Sequence, residues 1–173
     1  IMPLLMEAMV DNKDLSGVPG LMLNTPAGAK TTGHAPMRTK LDDMPLPSRH
    51  LIDEYADEYY TSLRKPLALL ETARGCPYKC NFCSVWKFHE SSFRQKSAER
   101  VVQELNQIRA SSVFVVDDIF WLSPKKGRAL GEAVKAAGIK KHFTVQTRSD
   151  IICRHPELIE QWKECGNLTI FLG

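Results

Sequence analysis

The sequence predicts an α/β fold in which about four parallel strands form one sheet. The first observation behind this prediction is that short apolar runs alternate with helical segments from Leu67 to the end of the chain. The second is that these runs have the length and the β-branched content of buried parallel strands. Such alternation is typical of right-handed βα units, whose strands make an arc in a single sheet.

The individual elements follow from these two patterns. Strands are expected at residues 67–70, 113–117, 142–147 and 168–172. The helices between them are expected to begin at Ser97, Ser123 and Pro156, and Gly138 and Gly166 are expected to end the last two.

The residues before Leu67 predict two smaller parts. Residues 3–10 have the apolar spacing of a helix, and a short strand pair with a turn at Thr25–Gly28 follows. Prolines at positions 36, 45 and 47 then indicate an extended linker, because proline fixes the backbone and removes a hydrogen-bond donor. We therefore expect the tail of an upstream domain at 1–28, a Pro-rich linker at 29–66 and the start of the α/β core at 67–173.

Composition excludes several classes of function. Of the 173 residues, 43% are hydrophobic and 25% are charged, which is enough apolar material for the core of one domain or slightly more. The net charge of +3 is too small to predict nucleic-acid binding on its own. The expected partner is a small-molecule substrate. No apolar run approaches the roughly 20 residues of a membrane span, and the first residues lack a signal-peptide pattern. These features favour a cytoplasmic protein.

Three of the five cysteines, Cys76, Cys80 and Cys83, lie together directly after the first predicted strand, spaced C-x3-C-x2-C. An odd number of closely spaced cysteines in such a chain indicates a metal site or catalysis rather than disulfides. Thiolates are soft ligands that suit iron–sulfur clusters or zinc. A cubane cluster normally takes four cysteines, so three would leave one iron open to another ligand.

This motif resembles the signature of the radical S-adenosylmethionine (SAM) superfamily, including the aromatic Phe82 before the last cysteine. The longer string Glu71–Ser84 is similar to the subgroup whose radical domain follows a cobalamin-binding domain. The resemblance implies a [4Fe–4S] cluster on Cys76, Cys80 and Cys83, with SAM chelated to the open iron. It further implies a partial (β/α) barrel of six units, so that about two units are missing after the fourth strand.

The resemblance also implies a reaction. One electron from a donor such as flavodoxin or ferredoxin would cleave SAM to methionine and a 5′-deoxyadenosyl radical. With cobalamin, methylation or a carbon-centred rearrangement becomes the expected outcome. The subgroup's cobalamin motif, D-x-H-x-x-G, does not occur in this sequence, and His34 stands in a different setting. Cobalamin is therefore expected upstream. Since the chain starts at Ile1 and stops at Gly173 after an apolar run, we expect a fragment whose full activity needs further sequence.

Charged residues at the carboxyl ends of the predicted strands are further candidates, since working residues of such barrels lie there. The second strand ends in Asp117 and Asp118, where the family often has Gly-Gly-Glu, and this Asp-Asp-x-Phe variant resembles the cobalamin subgroup. One of the two carboxylates is expected to receive the SAM ammonium, unless both are turn residues. Arg148, on one strand face with Gln146 and Asp150, is expected to hold a carboxylate of SAM or substrate, or to pair with Asp150.

Two other functions remain open from the sequence. Three cysteines with His89 would also make a Cys3His zinc site, and such a site, like a bracing iron–sulfur cluster, would be structural. The other is a methylthiotransferase-like enzyme that modifies RNA or protein. That group carries a second cluster on an N-terminal domain, whereas no cysteine precedes Cys76.

Overall fold

The computed structural model describes residues 1–35, 37, 40–61 and 64–173 and divides the chain into two compact units, Ile1–Thr39 and Lys40–Gly173. Pro36, one of the prolines on which the predicted linker rests, lies outside the described residues. Within these residues no helix is long and apolar enough to cross a membrane.

The first unit contains a helix and a β-hairpin. Helix α1 spans Met2–Val10, a 3-10 turn follows at Leu15–Gly17, and strands β1 (Met22–Thr25) and β2 (Gly28–Thr31) pair antiparallel. The predicted helix and strand pair are therefore confirmed. Strand β2 extends into the range predicted as linker, because its backbone pairs with β1 although its residues carry no strand periodicity.

The second unit contains the parallel sheet. A 3-10 helix, Arg49–Glu58, comes first. The elements that follow are β3 (Leu67–Leu70), β4 (Ala73–Arg74), α2 (Val85–Phe88), β5 (Arg94–Gln95), α3 (Ala98–Asn106), β6 (Ser112–Val115), α4 (Pro124–Ala136), β7 (Lys141–Thr147), α5 (Ser149–Arg154), α6 (Glu157–Lys163) and β8 (Gly166–Leu172).

Strands β3, β6, β7 and β8 form one sheet in that order, and every pair is parallel. The register places Leu70 beside Val115 and Thr147 beside Leu172, so the carboxyl ends of the strands meet at one edge. The predicted α/β class and its four parallel strands are confirmed. The residues that follow these ends, including the cysteines and both aspartates, therefore lie at the same edge of the sheet.

The core lies between the sheet and helices α3, α4 and α6. Ser97 caps α3 as predicted, because its Oγ accepts a hydrogen bond of 3.1 Å from the Arg100 N–H. The best enclosed side chains of this core include Val101, Leu105, Val113, Val134, Phe143, Val145, Leu158 and Trp162. They hold the sheet rigidly beneath the residues at its carboxyl edge.

Candidate metal centre and cofactor site

A two-stranded antiparallel pair closes the loop that carries the three cysteines. Ala73 pairs with Gln95 and Arg74 with Arg94, so β4 and β5 bring the two ends of residues 75–93 together. The Lys96 N–H also donates to the Thr72 carbonyl oxygen at 2.8 Å, which continues this pairing. The cysteine loop, as we call residues 75–93, is thus a closed lobe attached to the end of β3.

Gly75 is the first residue of the cysteine loop and needs to be glycine. Its φ of +87° lies in the left-handed region that L side chains rarely adopt. A Cβ atom would overlap the Ser92 carbonyl oxygen and lie 3.0 Å from the His89 Cβ. Two sides of the cysteine loop therefore approach each other at Gly75, immediately before Cys76.

The three candidate ligands Cys76, Cys80 and Cys83 are all half-buried free thiols. Burial raises the pKa of the Cys76 thiol, and the charges of Cys80, Cys83 and Asp118 raise it further, while the Tyr78 N–H lowers it. All three thiols lie on this one loop, within eight residues of one another. The Cys80 carbonyl oxygen accepts from the Cys83 N–H and from the Trp86 Nε1–H, both at 3.2 Å, which folds the second half of the motif into a tight turn.

Asp117 lies buried at the carboxyl end of β6, with 2% of its surface exposed. Its Oδ1 accepts from the Thr72 N–H at 2.7 Å and the Ala73 N–H at 3.0 Å, and its Oδ2 accepts from the Thr72 hydroxyl. Burial raises the pKa of Asp117 to about 6, although these three hydrogen bonds act to lower it. Asp117 thus ties the end of β3 to the end of β6.

Asp118 turns instead to the cysteine loop. Its Oδ2 accepts from the Gly75 N–H at 2.8 Å and lies 3.7 Å from the Nε2 of His89. The His89 Nδ1 lies 2.7 Å from the Arg94 Nη2. A guanidinium can only donate, so Nδ1 is the acceptor, and in the neutral imidazole Nε2 carries the hydrogen that faces Asp118. The two aspartates predicted together therefore have different surroundings.

Arg148 follows β7 and contacts the cysteine loop through Tyr78. Its guanidinium carbon lies 4.1 Å from the centre of the Tyr78 ring, which is a cation–π contact. Its Nε also donates to Asp150 Oδ1 at 2.9 Å, so the ion pair expected as one alternative is present. The shared face with Asp150 was wrong, because β7 ends at Thr147 and Asp150 lies in the first turn of α5.

Phe82 lies on the outside of the cysteine loop with 90% of its surface exposed. Two cations lie near the Trp86 ring, with the Lys79 Nζ 6.0 Å and the Lys87 Nζ 5.4 Å from its centre. Both lysines are exposed. The loop therefore presents two exposed aromatic rings, those of Phe82 and Phe88, and a basic surface near the Cys80 carbonyl oxygen.

The donors of the cysteine loop fit a cubane cluster. Each thiolate of a cubane binds a different iron, so the ligands need not surround one point as they do around a single ion. Among the described residues no three His, Cys, Asp or Glu side chains are arranged to hold one metal ion. His89, the fourth ligand of the alternative zinc site, has both ring nitrogens directed at Arg94 and Asp118. This arrangement favours a cluster on three thiols.

Sequence reasoning missed three features of this site. The pairing of β4 with β5 involves two residues on each strand, too few for a periodic pattern. The contact of His89 with Asp118 joins residues that are distant in sequence, and no local signal indicates it. Arg148 was a candidate, but its stacking on Tyr78 was not foreseen, although an aromatic residue inside the cysteine motif was the available signal.

Comparison with known proteins identifies the family of this chain. The family model of the Radical SAM superfamily matches residues 70–173. The chain is 34% identical over 173 residues to the hopanoid C-3 methylase of Methylococcus capsulatus, covering 99% of this chain and 32% of the methylase. It is 27% identical to the cobalamin-dependent radical SAM methyltransferase TokK of Streptomyces tokunonensis, covering 95% of this chain and 25% of that protein.

A solved structure has the same fold. It is the cobalamin-dependent SAM radical enzyme OxsB with aqua-cobalamin and SAM bound, with a TM-score of 0.74 and 20% identity over 99% of this chain and 26% of OxsB. The chain thus spans between a quarter and a third of the length of these proteins. A family match over more than half of its residues shows that the chain belongs to the radical SAM superfamily.

Proposed function

We propose that this chain binds a [4Fe–4S] cluster and SAM and is part of a cobalamin-associated radical SAM methyltransferase. The proposal is supported by the closed cysteine loop at the carboxyl edge of the sheet, which carries all three half-buried thiols. When bound, the cluster supplies the electron that cleaves SAM to methionine and a 5′-deoxyadenosyl radical. Cys76, Cys80 and Cys83 are its ligands.

The groups around the loop suit the parts of SAM. Asp118 is the better of the two candidates for the ammonium group, because both oxygens of Asp117 already accept hydrogen bonds from Thr72 or Ala73. The Arg148 side chain, 36% exposed, presents a planar fork for a carboxylate of SAM or substrate. Phe82 offers an exposed ring for the adenine.

Cluster binding is tested by anaerobic reconstitution with iron and sulfide. The wild-type chain is expected to take up about four irons, as a cubane requires. Replacing Cys76, Cys80 or Cys83 by alanine is expected to abolish the cluster's absorbance, whereas Cys153→Ala, which changes an exposed cysteine on α5, keeps it. Stoichiometric zinc without sulfide in the purified protein would contradict the proposal and support the structural alternative.

The reductant proposed for this site is a small acidic electron carrier such as flavodoxin or ferredoxin. Lys79 and Lys87 flank Trp86, whose indole donates to the Cys80 carbonyl oxygen, so a negatively charged partner would meet the protein close to a cluster ligand. Reduction of the cluster by flavodoxin is expected to slow as ionic strength rises. In Lys79→Gln/Lys87→Gln the rate and its salt dependence are both expected to fall, while reduction by dithionite stays unchanged.

Methylation with cobalamin is proposed from the relatives, one named a methylase and another a cobalamin-dependent methyltransferase. The test uses the full-length protein that contains this chain, supplied with SAM, flavodoxin and reductant. SAM cleavage to 5′-deoxyadenosine is expected in every case where the cluster is present. Retention of cobalamin after gel filtration would support the methyltransferase class, and its loss together with undiminished SAM cleavage would restrict the function to cobalamin-independent radical chemistry.

A further inference from the structure

One carboxylate oxygen joins three segments beside the first candidate ligand. Asp118 Oδ2, at the carboxyl end of β6, accepts from the Gly75 N–H at 2.8 Å. The peptide that donates this hydrogen bond directly precedes Cys76, so the bond fixes the backbone that presents this thiol.

His89, also on the cysteine loop, lies close to Asp118. Its Nδ1 takes a hydrogen bond from Arg94 at 2.7 Å, so that Nε2–H faces Asp118 Oδ2 at 3.7 Å. Arg94 is itself fixed by β5, which pairs with β4 next to Gly75. Arg94, His89, Asp118 and Gly75 are therefore successive neighbours at the point where the cysteine loop joins β4 and β5.

The position of Asp118 also has an electrostatic effect. The side chain is 28% exposed, so its charge is only partly screened by water. Its Oδ2 is hydrogen-bonded to the peptide that directly precedes Cys76, so the charge lies beside this ligand. An extra electron on a cluster bound to Cys76 would be repelled by that charge, and charge near a cluster is one of the factors that set its reduction potential.

We propose that Asp118 is a positioning residue for the cluster: its Oδ2 anchors the Gly75 peptide that presents Cys76, and its negative charge lowers the cluster's reduction potential. This inference rests on the proposed function, in which Cys76, Cys80 and Cys83 hold a cluster. It is separate from any contact of Asp118 with the SAM ammonium, because both effects are present without SAM. A lower potential makes the reduced cluster a stronger electron donor.

Two substitutions separate the anchor from the charge. Asp118→Asn keeps an amide oxygen that accepts from the Gly75 N–H but removes the negative charge. Asp118→Ala removes both. Glu132→Gln is the matched control, since it removes one negative charge from the exposed side of α4. All three variants and the wild type are reconstituted anaerobically without SAM, and their iron and sulfide contents are compared with redox titrations followed by EPR.

Asp118→Asn is expected to have wild-type iron content and a more positive midpoint potential. Asp118→Ala is expected to lose iron several-fold, and Glu132→Gln is expected to change neither quantity. A wild-type midpoint in Asp118→Asn would overturn the charge effect, and full iron content in Asp118→Ala would overturn the anchor. If the wild type itself takes up no cluster, the proposed function fails, and this inference fails with it. If the wild type takes up the cluster and both Asp118 variants keep its iron content and midpoint potential, this inference is refuted and the proposed function stands.

Discussion

A carboxylate lies buried where β3 and β6 end, and its hydrogen bonds determine which substitutions it tolerates. Asp117 is the acceptor for two backbone N–H groups, those of Thr72 and Ala73. Asp117→Ala leaves both without a partner, and each buried unpaired group costs about 1–3 kcal/mol. We expect this variant to lose about 2–5 kcal/mol of unfolding free energy in denaturant titrations. Asp117→Asn keeps an acceptor oxygen and is expected to lose less than about 1 kcal/mol.

The same residue predicts a pH dependence. Folding raises the pKa of Asp117 from its ordinary 3.8 to about 6, mainly through burial. The folded protein therefore binds this proton more tightly than the unfolded chain, and the stability that Asp117 contributes falls as pH rises from about 4 to about 6. The difference corresponds to about 3 kcal/mol at most. Relative to Asp117→Asn, the unfolding free energy of the wild type is expected to fall as pH rises from about 4 to about 6 and to stay constant at higher pH. A difference between the two proteins that does not vary with pH would contradict the raised pKa of Asp117.

The effect of alanine at Gly75 can be compared with the effect of alanine at a second glycine of the same chain. Gly138 also has a positive φ, of +68°, but nothing lies within 4 Å of the Cβ that alanine would add there. Gly138→Ala is therefore expected to lose only the left-handed backbone term of about 1–2 kcal/mol and to keep full iron uptake. Gly75→Ala adds a clash with the Ser92 carbonyl and is expected to lose more stability and most of its iron. Equal iron contents of the two variants after reconstitution would show that the loop can accommodate a Cβ at position 75 and still bind the cluster.

A buried cluster of charged side chains holds helix α3 against its neighbours. Glu104 is 2% exposed and accepts from Arg49 at 2.7 Å and from Lys96 at 2.8 Å. Arg49 also donates to the Leu69 carbonyl oxygen at 2.8 Å, so the cluster joins the 3-10 helix, β3 and α3. Glu104→Gln leaves two enclosed cations without their counter-charge and is expected to cost about 3–5 kcal/mol.

The control for Glu104 lies on the same helix. Glu99 is an exposed carboxylate in the first turn of α3. Glu99→Gln is expected to cost less than about 1 kcal/mol, which is the range of a charge interacting with a helix N-terminus. If thermal or denaturant unfolding shows the two glutamine variants to be equally stable, the buried cluster contributes no more than a surface charge does.

The elements that the sequence predicted are those with enough residues to show a pattern. Strand β6 and helix α4 carry continuous apolar or helical spacing, and both lie close to their expected positions. Helix α5 was missed because alternating polar residues after β7 imitate a continued strand, whereas Ser149 in fact begins a helix. At the site, the cysteine spacing predicted the candidate ligands. The different surroundings of Asp117 and Asp118 depend on which backbone N–H groups lie near each carboxylate in the folded chain. Tertiary contacts of that kind leave no trace in a single sequence.

At the scale of the whole molecule, the second unit holds every residue assigned to the candidate site. The cysteine loop, Asp118 and Arg148 all lie within Lys40–Gly173. A variant that begins at Lys40 is therefore expected to keep the iron content and the cluster absorbance of the full chain after reconstitution. A large loss of iron in this variant, with helix content preserved by circular dichroism, would mean that residues 1–39 take part in the site.

The three tryptophans of the chain allow its fluorescence to report on both the core and the candidate site. Trp121 and Trp162 are buried with their rings 6.0 Å apart in the core, so their emission follows the packing of α4 and α6. Trp86 is hydrogen-bonded to the backbone of Cys80 and lies beside the candidate cluster. A cluster that absorbs in the visible and near ultraviolet takes up indole emission most strongly at short range, so cluster insertion is expected to quench Trp86. A Trp86→Phe protein is then expected to lose less emission on cluster insertion than the wild type, while the emission of Trp121 and Trp162 still changes when the core unfolds.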